Sequence, residues 1–161
     1  MLMDHTDLVP PIDGRQSPTA LSVARGVGRL MLARGFAIVH ELTLATGRRA
    51  DIVAVGRDGE IWIVEIKSSI EDFRADNKWE DYRVSCDRLF FASHVGVPTE
   101  IFPEEAGFIL ADRFGAEMLR EAPEHRLAGT TRKAMLVRIA QAAAQRLHGL
   151  MDPDAGTDLL E

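Results

Sequence analysis

"RRADIVAVGRDGEIWIVEIKSS" (Arg48–Ser69) decides the fold. Two apolar runs, "ADIVAVG" (50–56) and "IWIVEIKSS" (61–69), flank the tight link "RDGE", so the stretch reads as a β-hairpin. Side chains alternate across a strand. Ile61, Ile63, Glu65 and Lys67 therefore share one face, and Trp62, Val64 and Ile66 share the other. Both faces are apolar where the strand begins, which predicts a central position in a sheet. Glu65 and Lys67 leave one apolar row together, about 7 Å apart by strand rise.

The length of the turn decides where Asp51 points. A two-residue Asp58-Gly59 loop pairs Arg57 with Glu60 and Asp51 with Ile66, on the wrong face from Glu65. A three-residue loop, Arg57-Asp58-Gly59, pairs Gly56 with Glu60, and Asp51 then lies opposite Glu65. This longer turn wants glycine in its last, left-handed position, where Gly59 stands. It also sets Val53 against Ile63 and Val55 against Ile61, and it is the expected register. Two carboxylates so close repel if buried bare. A divalent cation removes that cost, and carboxylate oxygens with open water positions suit Mg²⁺ or Mn²⁺. A lysine two residues on can orient a water or stabilise negative charge developing on a phosphate. The set fits metal-assisted hydrolysis of a phosphodiester. The plainer reading is a Glu65–Lys67 ion pair at a strand end and an aspartate that caps a turn, since an E-x-K triplet alone occurs by chance in many proteins.

Length and composition bound the rest. The 161 residues suffice for one domain with a core and are too few for two ordinary ones. A content of 46% hydrophobic and 27% charged residues fits a soluble globular protein. No apolar run approaches the ~20 residues that cross a bilayer. The N-terminal "MLMDHTDLVPPIDG" carries acids and prolines in place of a secretory signal's basic and apolar regions. Cytoplasmic residence with no membrane partner is expected. Cys86 is the single cysteine, precedes an apolar strand pattern and reads as a small core residue. The five histidines lack metal-ligand spacing, which argues against zinc. No P-loop, dinucleotide fingerprint or serine elbow is present. The net charge of −6 argues against nucleic acid only until its distribution is read. Residues 1–18 carry three acids and one base, 152–161 four acids and no base, and 19–151 eighteen of each. Acidic tails that read as disordered, 1–17 and 152–161, thus flank one neutral domain, 18–151.

The elements around the hairpin complete the frame. Residues 17–36 read as a helix capped by Ser17 with Pro18 at its first position, an apolar stripe of Leu21, Ala24, Val27, Leu30 and Met31, and a stop at Gly35. Gly26 and Gly28 weaken it by up to ~1 kcal/mol each, for which close packing on a sheet would compensate. "FAIVHELTL" (36–44) is a strand, 69–87 is one helix or two short ones, 88–93 and 106–112 are strands, and 116–122 is a strand or a short helix. Residues 129–151 form a long terminal helix, with Thr130 or Thr131 as cap and Leu136, Ala140, Ala143 and Leu147 along one face. The order predicts an α/β domain with a mixed sheet flanked by helices.

Asp51, thirteen residues, then Glu65-Ile66-Lys67, on a helix–strand–strand–strand–helix frame, resembles the PD-(D/E)xK nuclease superfamily. Ala50 stands where that superfamily's variable proline would be. More narrowly, "GRRADIVAVGRDGEIWIVEIKSSIEDFRADNKWEDY" (47–82), "CDRLFFA" (86–92) and "EAPEHRLAGTTRKA" (121–134) resemble the MmcB-type bacterial DNA-repair proteins, over most of residues 18–151. The resemblance implies a restriction-endonuclease-like αβββαβ core and a metal-dependent DNA nuclease acting in bacterial DNA repair. It implies Asp51, Glu65 and Ile66 as the Mg²⁺ or Mn²⁺ site and Lys67 as the residue that serves the attacking water. Many superfamily members carry a further acid on the first helix. This helix has none, and Glu41 in the first strand is the candidate substitute, against a strand-edge glutamate that faces solvent or Arg48. Lys78 and Tyr82 form K-x-x-x-Y where some relatives carry Q-x-x-x-Y; at i, i+4 they would share a helix face. Arg48, Arg49, Lys78 and Tyr82 are the candidate nucleic-acid contacts. The plainer reading gives the basic residues to nearby acids and Tyr82, with Trp79, to the core. The DNA substrate, branched, damaged or single-stranded, stays open. So do two other readings: a catalytically weak DNA-structure-binding module, and a subunit that recruits a repair partner.

Overall fold

The computed structural model describes residues 17–155. The expected tails, 1–17 and 152–161, fall largely outside the described residues. The elements run α1 (Pro18–Ala33), β1 (Ala37–Thr43), β2 (Arg49–Val55), β3 (Ile61–Ile66), α2 (Ile70–Ala75), a 3₁₀ helix (Trp79–Ser85), β4 (Arg88–Ser93), a 3₁₀ turn (Thr99–Ile101), β5 (Gly107–Ala111), β6 (Ala116–Arg120) and α3 (Gly129–Met151). The six strands form one mixed sheet in the order β1-β2-β3-β4-β5-β6. The β1–β2, β2–β3 and β5–β6 pairs are antiparallel, and β3–β4 and β4–β5 are parallel. The opening order is the αβββαβ expected, with 116–120 resolved as a strand.

The hairpin takes the three-residue turn. Val53 pairs with Ile63 and Val55 with Ile61. The Gly56 N–H donates to the Glu60 carbonyl at 2.8 Å, and Gly59 has φ +81°, the left-handed conformation that glycine adopts without steric cost. β3 is central and buried on both faces. It ends at Ile66, three residues short of the end of the run read as strand, although the Lys67 N–H still donates to the Ala92 carbonyl of β4 at 3.0 Å.

The two faces of β3 feed two different cores. Trp62 and Val64 pack with Ile52, Phe90 and Ala92 beneath Val23, Val27 and Met31 of α1. Ile61 and Ile63 pack with Val53 and Leu89 beneath Tyr82, Cys86, Met135 and Ile139. A third cluster, Phe91, Phe102 and Phe108, fills the space under α2. The sheet is thus the middle of three layers. Cys86 is buried as a small core residue, its Sγ 3.4 Å from the Tyr82 carbonyl, and burial pushes its thiol up to about 12.

α1 begins where expected. The Ser17 hydroxyl accepts from the Ala20 N–H at 3.1 Å, and Pro18 follows. Gly26 is where the helix touches the β5–β6 turn: a Cβ there would stand 2.1 Å from the Asp112 carbonyl oxygen. Close approach is therefore the compensation for a glycine in mid-helix.

α3 differs from its reading in two ways. Its N-cap is Ala128, with no side-chain capping bond, since Thr130 and Thr131 already lie inside the first turn. Its buried residues are Met135 and Ile139, with Leu136 and Ala142 half-buried against the same core, whereas Ala140, Ala143 and Leu147 are exposed. A pair with no role in the sequence reading secures the helix instead. Arg132 makes a two-pronged ion pair with buried Asp87, both distances 2.7 Å. The same carboxylate accepts from the N–H groups of Ile61 and Leu127, each at 2.8 Å. One aspartate thus joins the start of β3, the start of β4, the strap before α3 and α3 itself.

Candidate active site

The site grows from the hairpin register. With Ile52 against Val64, Asp51 stands across from Glu65, and each carboxylate accepts a main-chain N–H from the opposite strand. The Asp51 N–H donates to Glu65 Oε1 at 3.1 Å, and the Ile66 N–H donates to Asp51 Oδ2 at 2.8 Å. Glu65 is 3% exposed and Lys67 is 7% exposed. Asp51, Glu65, Ile66 and Lys67 line one cavity of about 300 Å³, closed by Ser17 and Ala20 at the start of α1, by Ser68 and Asp72, and by Tyr82.

Burial raises both carboxyl groups; the charge of Glu41 adds to it at Asp51, and that of Asp51 adds to it at Glu65. Asp51 is pushed up to about 6, with the Ile66 N–H and Lys67 pulling the other way. Glu65 is raised well above the usual carboxylate range, by burial and then by Asp51. The pair is therefore short of positive charge, and a proton or a cation can supply it. The donors present fit a hard divalent ion: two carboxylates, plus a main-chain oxygen as all that Ile66 can offer. Among the described residues, no three His, Cys, Asp or Glu side chains group closely enough to hold a metal ion. Water or substrate oxygens would have to complete its shell.

Lys67 is held by a residue without a role in the sequence reading. Its Nζ lies 2.9 Å from Asp76 Oδ2, at the end of α2. The other Asp76 oxygen accepts from the Lys78 N–H at 3.1 Å. Only the placement of α2 reveals Asp76, because it lies nine residues beyond Lys67 with no strand or helix period to link them.

Glu41 joins the cavity wall, and it does so through an unusual backbone. β1 pairs with β2 up to His40–Ile52 and again from Leu42–Ala50, and Glu41 lies between, at the level of Asp51. Its φ is +51°, a conformation that costs an L-residue roughly 1–3 kcal/mol and that clusters at functional sites. Arg146 of α3 donates to the Glu41 carbonyl at 2.8 Å and also to that of His40, anchoring the kink. The Glu41 carboxylate pairs with Arg49 Nε at 2.6 Å, neither turned to solvent nor paired with Arg48 as the plainer reading has it. Arg48 pairs with Asp81 at 3.3 Å.

Tyr82 is buried in the core cluster, and its hydroxyl donates to the Arg49 carbonyl at 3.3 Å while the residue also borders the cavity. Lys78 does not share its face. The segment is a 3₁₀ helix with Lys78 as its cap, and at three residues per turn positions i and i+4 point about 120° apart. Lys78 is exposed and stands outside the cavity lining.

Among solved structures the chain is similar to SPO1766, a protein of unknown function from Silicibacter pomeroyi. The two are 42% identical with a TM-score of 0.84, over 89% of this chain and 99% of that one. No curated protein matches the chain. The family model described as "DNA repair protein MmcB-like" matches residues 7–154. The chain belongs to the MmcB-like DNA-repair family.

Proposed function

We propose that this protein is a metal-dependent deoxyribonuclease of the PD-(D/E)xK kind that hydrolyses a phosphodiester during DNA repair. The observation that carries the reading is the cavity in which Asp51 faces Glu65 with Lys67 beside them. Asp51, Glu65 and the Ile66 main chain would hold Mg²⁺ or Mn²⁺. When bound, such an ion supplies Lewis acidity toward a phosphoryl oxygen and lowers the pKa of water. The chain's own part is preorganisation. The reciprocal main-chain bonds fix both carboxylates before any ligand arrives, so little reorganisation remains at the moment of reaction. Lys67 presents a cation at the cavity wall, where it orients water or meets charge developing on the phosphate. Glu41 adds a third carboxylate to that wall.

A second reading, a DNA-structure-binding module without turnover, is favoured by one contact: Lys67 is engaged by Asp76. One experiment separates the two. Branched, nicked, single-stranded and duplex DNA are incubated with the protein and Mg²⁺ or Mn²⁺, alongside Lys67→Ala. Cleavage that falls roughly 100-fold or more in the variant is expected. Tight binding with no cleavage by either protein would favour the module instead.

A further inference from the structure

The turn between β5 and β6, Asp112–Gly115, carries Phe114 with 67% of its surface exposed. The turn is braced from four sides. The Asp112 carboxylate accepts from the N–H groups of Phe114 at 2.7 Å and Gly115 at 3.1 Å. The Asp112 N–H donates to the Gly115 carbonyl at 3.0 Å. Gly26 of α1 lies against the turn's carbonyls, and Arg29 donates to the Phe114 carbonyl at 3.0 Å. An aromatic ring is thus held rigidly in water at the tip of a loop, where it contributes little to the core.

Its surroundings are cationic. The Arg113 guanidinium sits 4.7 Å from the ring centroid. α1 contains no acidic residue, and its outer face presents exposed Arg25 and Arg29 one turn apart. The one acid in the turn, Asp112, is occupied by the turn's own N–H groups.

The position matters as much as the chemistry. β3, β4 and β5 are parallel, so the turn after β5 stands on the same edge of the sheet as Lys67 after β3. Two strand spacings, about 10 Å, separate them sideways, and the turn begins two residues, about 7 Å, further along the strand direction, so they stand roughly 12 Å apart. That is about three to four nucleotide steps of a stacked strand.

The geometry points to a single-stranded DNA contact site at this turn, in which a base stacks on Phe114 while Arg25 and Arg113 take neighbouring phosphates. Aromatic platforms beside a cationic track are how proteins hold single strands without reading sequence. The inference rests on the reading of the cavity as one that acts on DNA, and it names the strand geometry that the cavity would receive. It also moves the phosphate contacts away from Arg48 and Arg49, whose guanidinium groups pair with Asp81 and Glu41.

The test is fluorescence anisotropy on the full chain in EDTA, where binding is read without cleavage. The probes are a labelled oligothymidylate and a duplex of equal length. Phe114→Ala should weaken single-strand binding by roughly 5- to 100-fold, and Phe114→Trp should restore it. Arg25→Ala should make log K against log salt shallower by about 0.7. Phe114→Ala binding within twofold of wild type would overturn the inference. So would a Phe114→Ala variant that alters self-association in sedimentation while DNA affinity holds. A wild-type protein that binds neither probe would overturn it together with the DNA-acting reading. Wild-type binding that Phe114→Ala leaves intact would remove this surface alone.

Discussion

Burial acts on Asp51 and Glu65 in the same direction and disfavours the charged form of each. The sign of the consequence follows from Asp51. Its ordinary value is 3.8 and burial lifts it to about 6, so the folded protein holds a proton there that the unfolded chain releases. The stabilising protonated form is intact below the ordinary value and is lost as pH rises through about 6. In EDTA, urea denaturation should show stability falling by on the order of 2 kcal/mol between about pH 4 and pH 7 from Asp51. The Asp51→Asn/Glu65→Gln double variant should flatten that part of the profile. An unchanged profile would mean that the two groups do not share a charge deficit. At this scale the sequence is legible where one residue settles a conformation. Gly59 in the left-handed turn position is enough to put Asp51 opposite Glu65. Glu41 is legible as an acid near the site but not as a kink, because positive φ in a glutamate has no local sequence signal.

The elements show where periodicity stops being informative. In α1 Val23 joins Val27 and Met31 in the core where the expected stripe had Leu21, with Ala24 and Leu30 packed beside them. The hairpin and β4 follow their apolar patterns because packing on a sheet dictates those patterns. α3 does not. Met135, Leu136, Ile139 and Ala142 make its apolar contact, and beyond them it is tied by Arg138 to the Thr43 carbonyl and by Arg146 to those of His40 and Glu41. Those arginines cover the outer edge of β1, which is the kind of edge that otherwise invites another strand. Hydrophobic spacing cannot reveal a helix held by guanidinium groups on main-chain oxygens. Lys78 escapes for a related reason, since a 3₁₀ helix and an α-helix place i and i+4 differently. The Asp87–Arg132 pair is the element-scale joint most open to test. Burial alone would raise Asp87, but bonds from Arg132, Ile61 and Leu127 outweigh it and hold the group at about 2. The stability it contributes is present above its ordinary 3.8 and lost as pH falls toward about 2. Arg132→Met should cost about 3 kcal/mol near neutral pH and move acid unfolding, followed by circular dichroism, to higher pH. Loss of less than about 0.5 kcal/mol would mean that α3 docks by its apolar face alone.

At the scale of the molecule, the sheet collects chemistry on one edge. The carboxylate pair, Lys67 and the Phe114 turn all stand at the ends of the parallel strands β3 and β5 or beside them. The six-stranded order was only partly legible in the sequence. A helical segment between β3 and β4 predicts a parallel crossover. The 94–105 connection, with its two prolines, gives no comparable sign that β5 also runs parallel. Charge is similar. The balanced count over residues 19–151 hides a face of α1 without acids, and only the fold separates arginines tied in ion pairs from those turned to solvent. No helix of the described residues is long and apolar enough to cross a membrane.

The central claim is that the three-residue turn ending in Gly59 builds a divalent-cation site from Asp51 and Glu65. The most direct measurement is Mn²⁺ binding followed by electron paramagnetic resonance. It is done with a phosphorothioate oligonucleotide present to supply phosphate, at about pH 7.5 and about pH 5. Wild type should bind Mn²⁺ at the higher pH and more weakly at the lower, where protons compete for the pair, and Asp51→Asn and Glu65→Gln should each abolish binding. Equal binding by the variants, or none by wild type at the higher pH, would contradict the account.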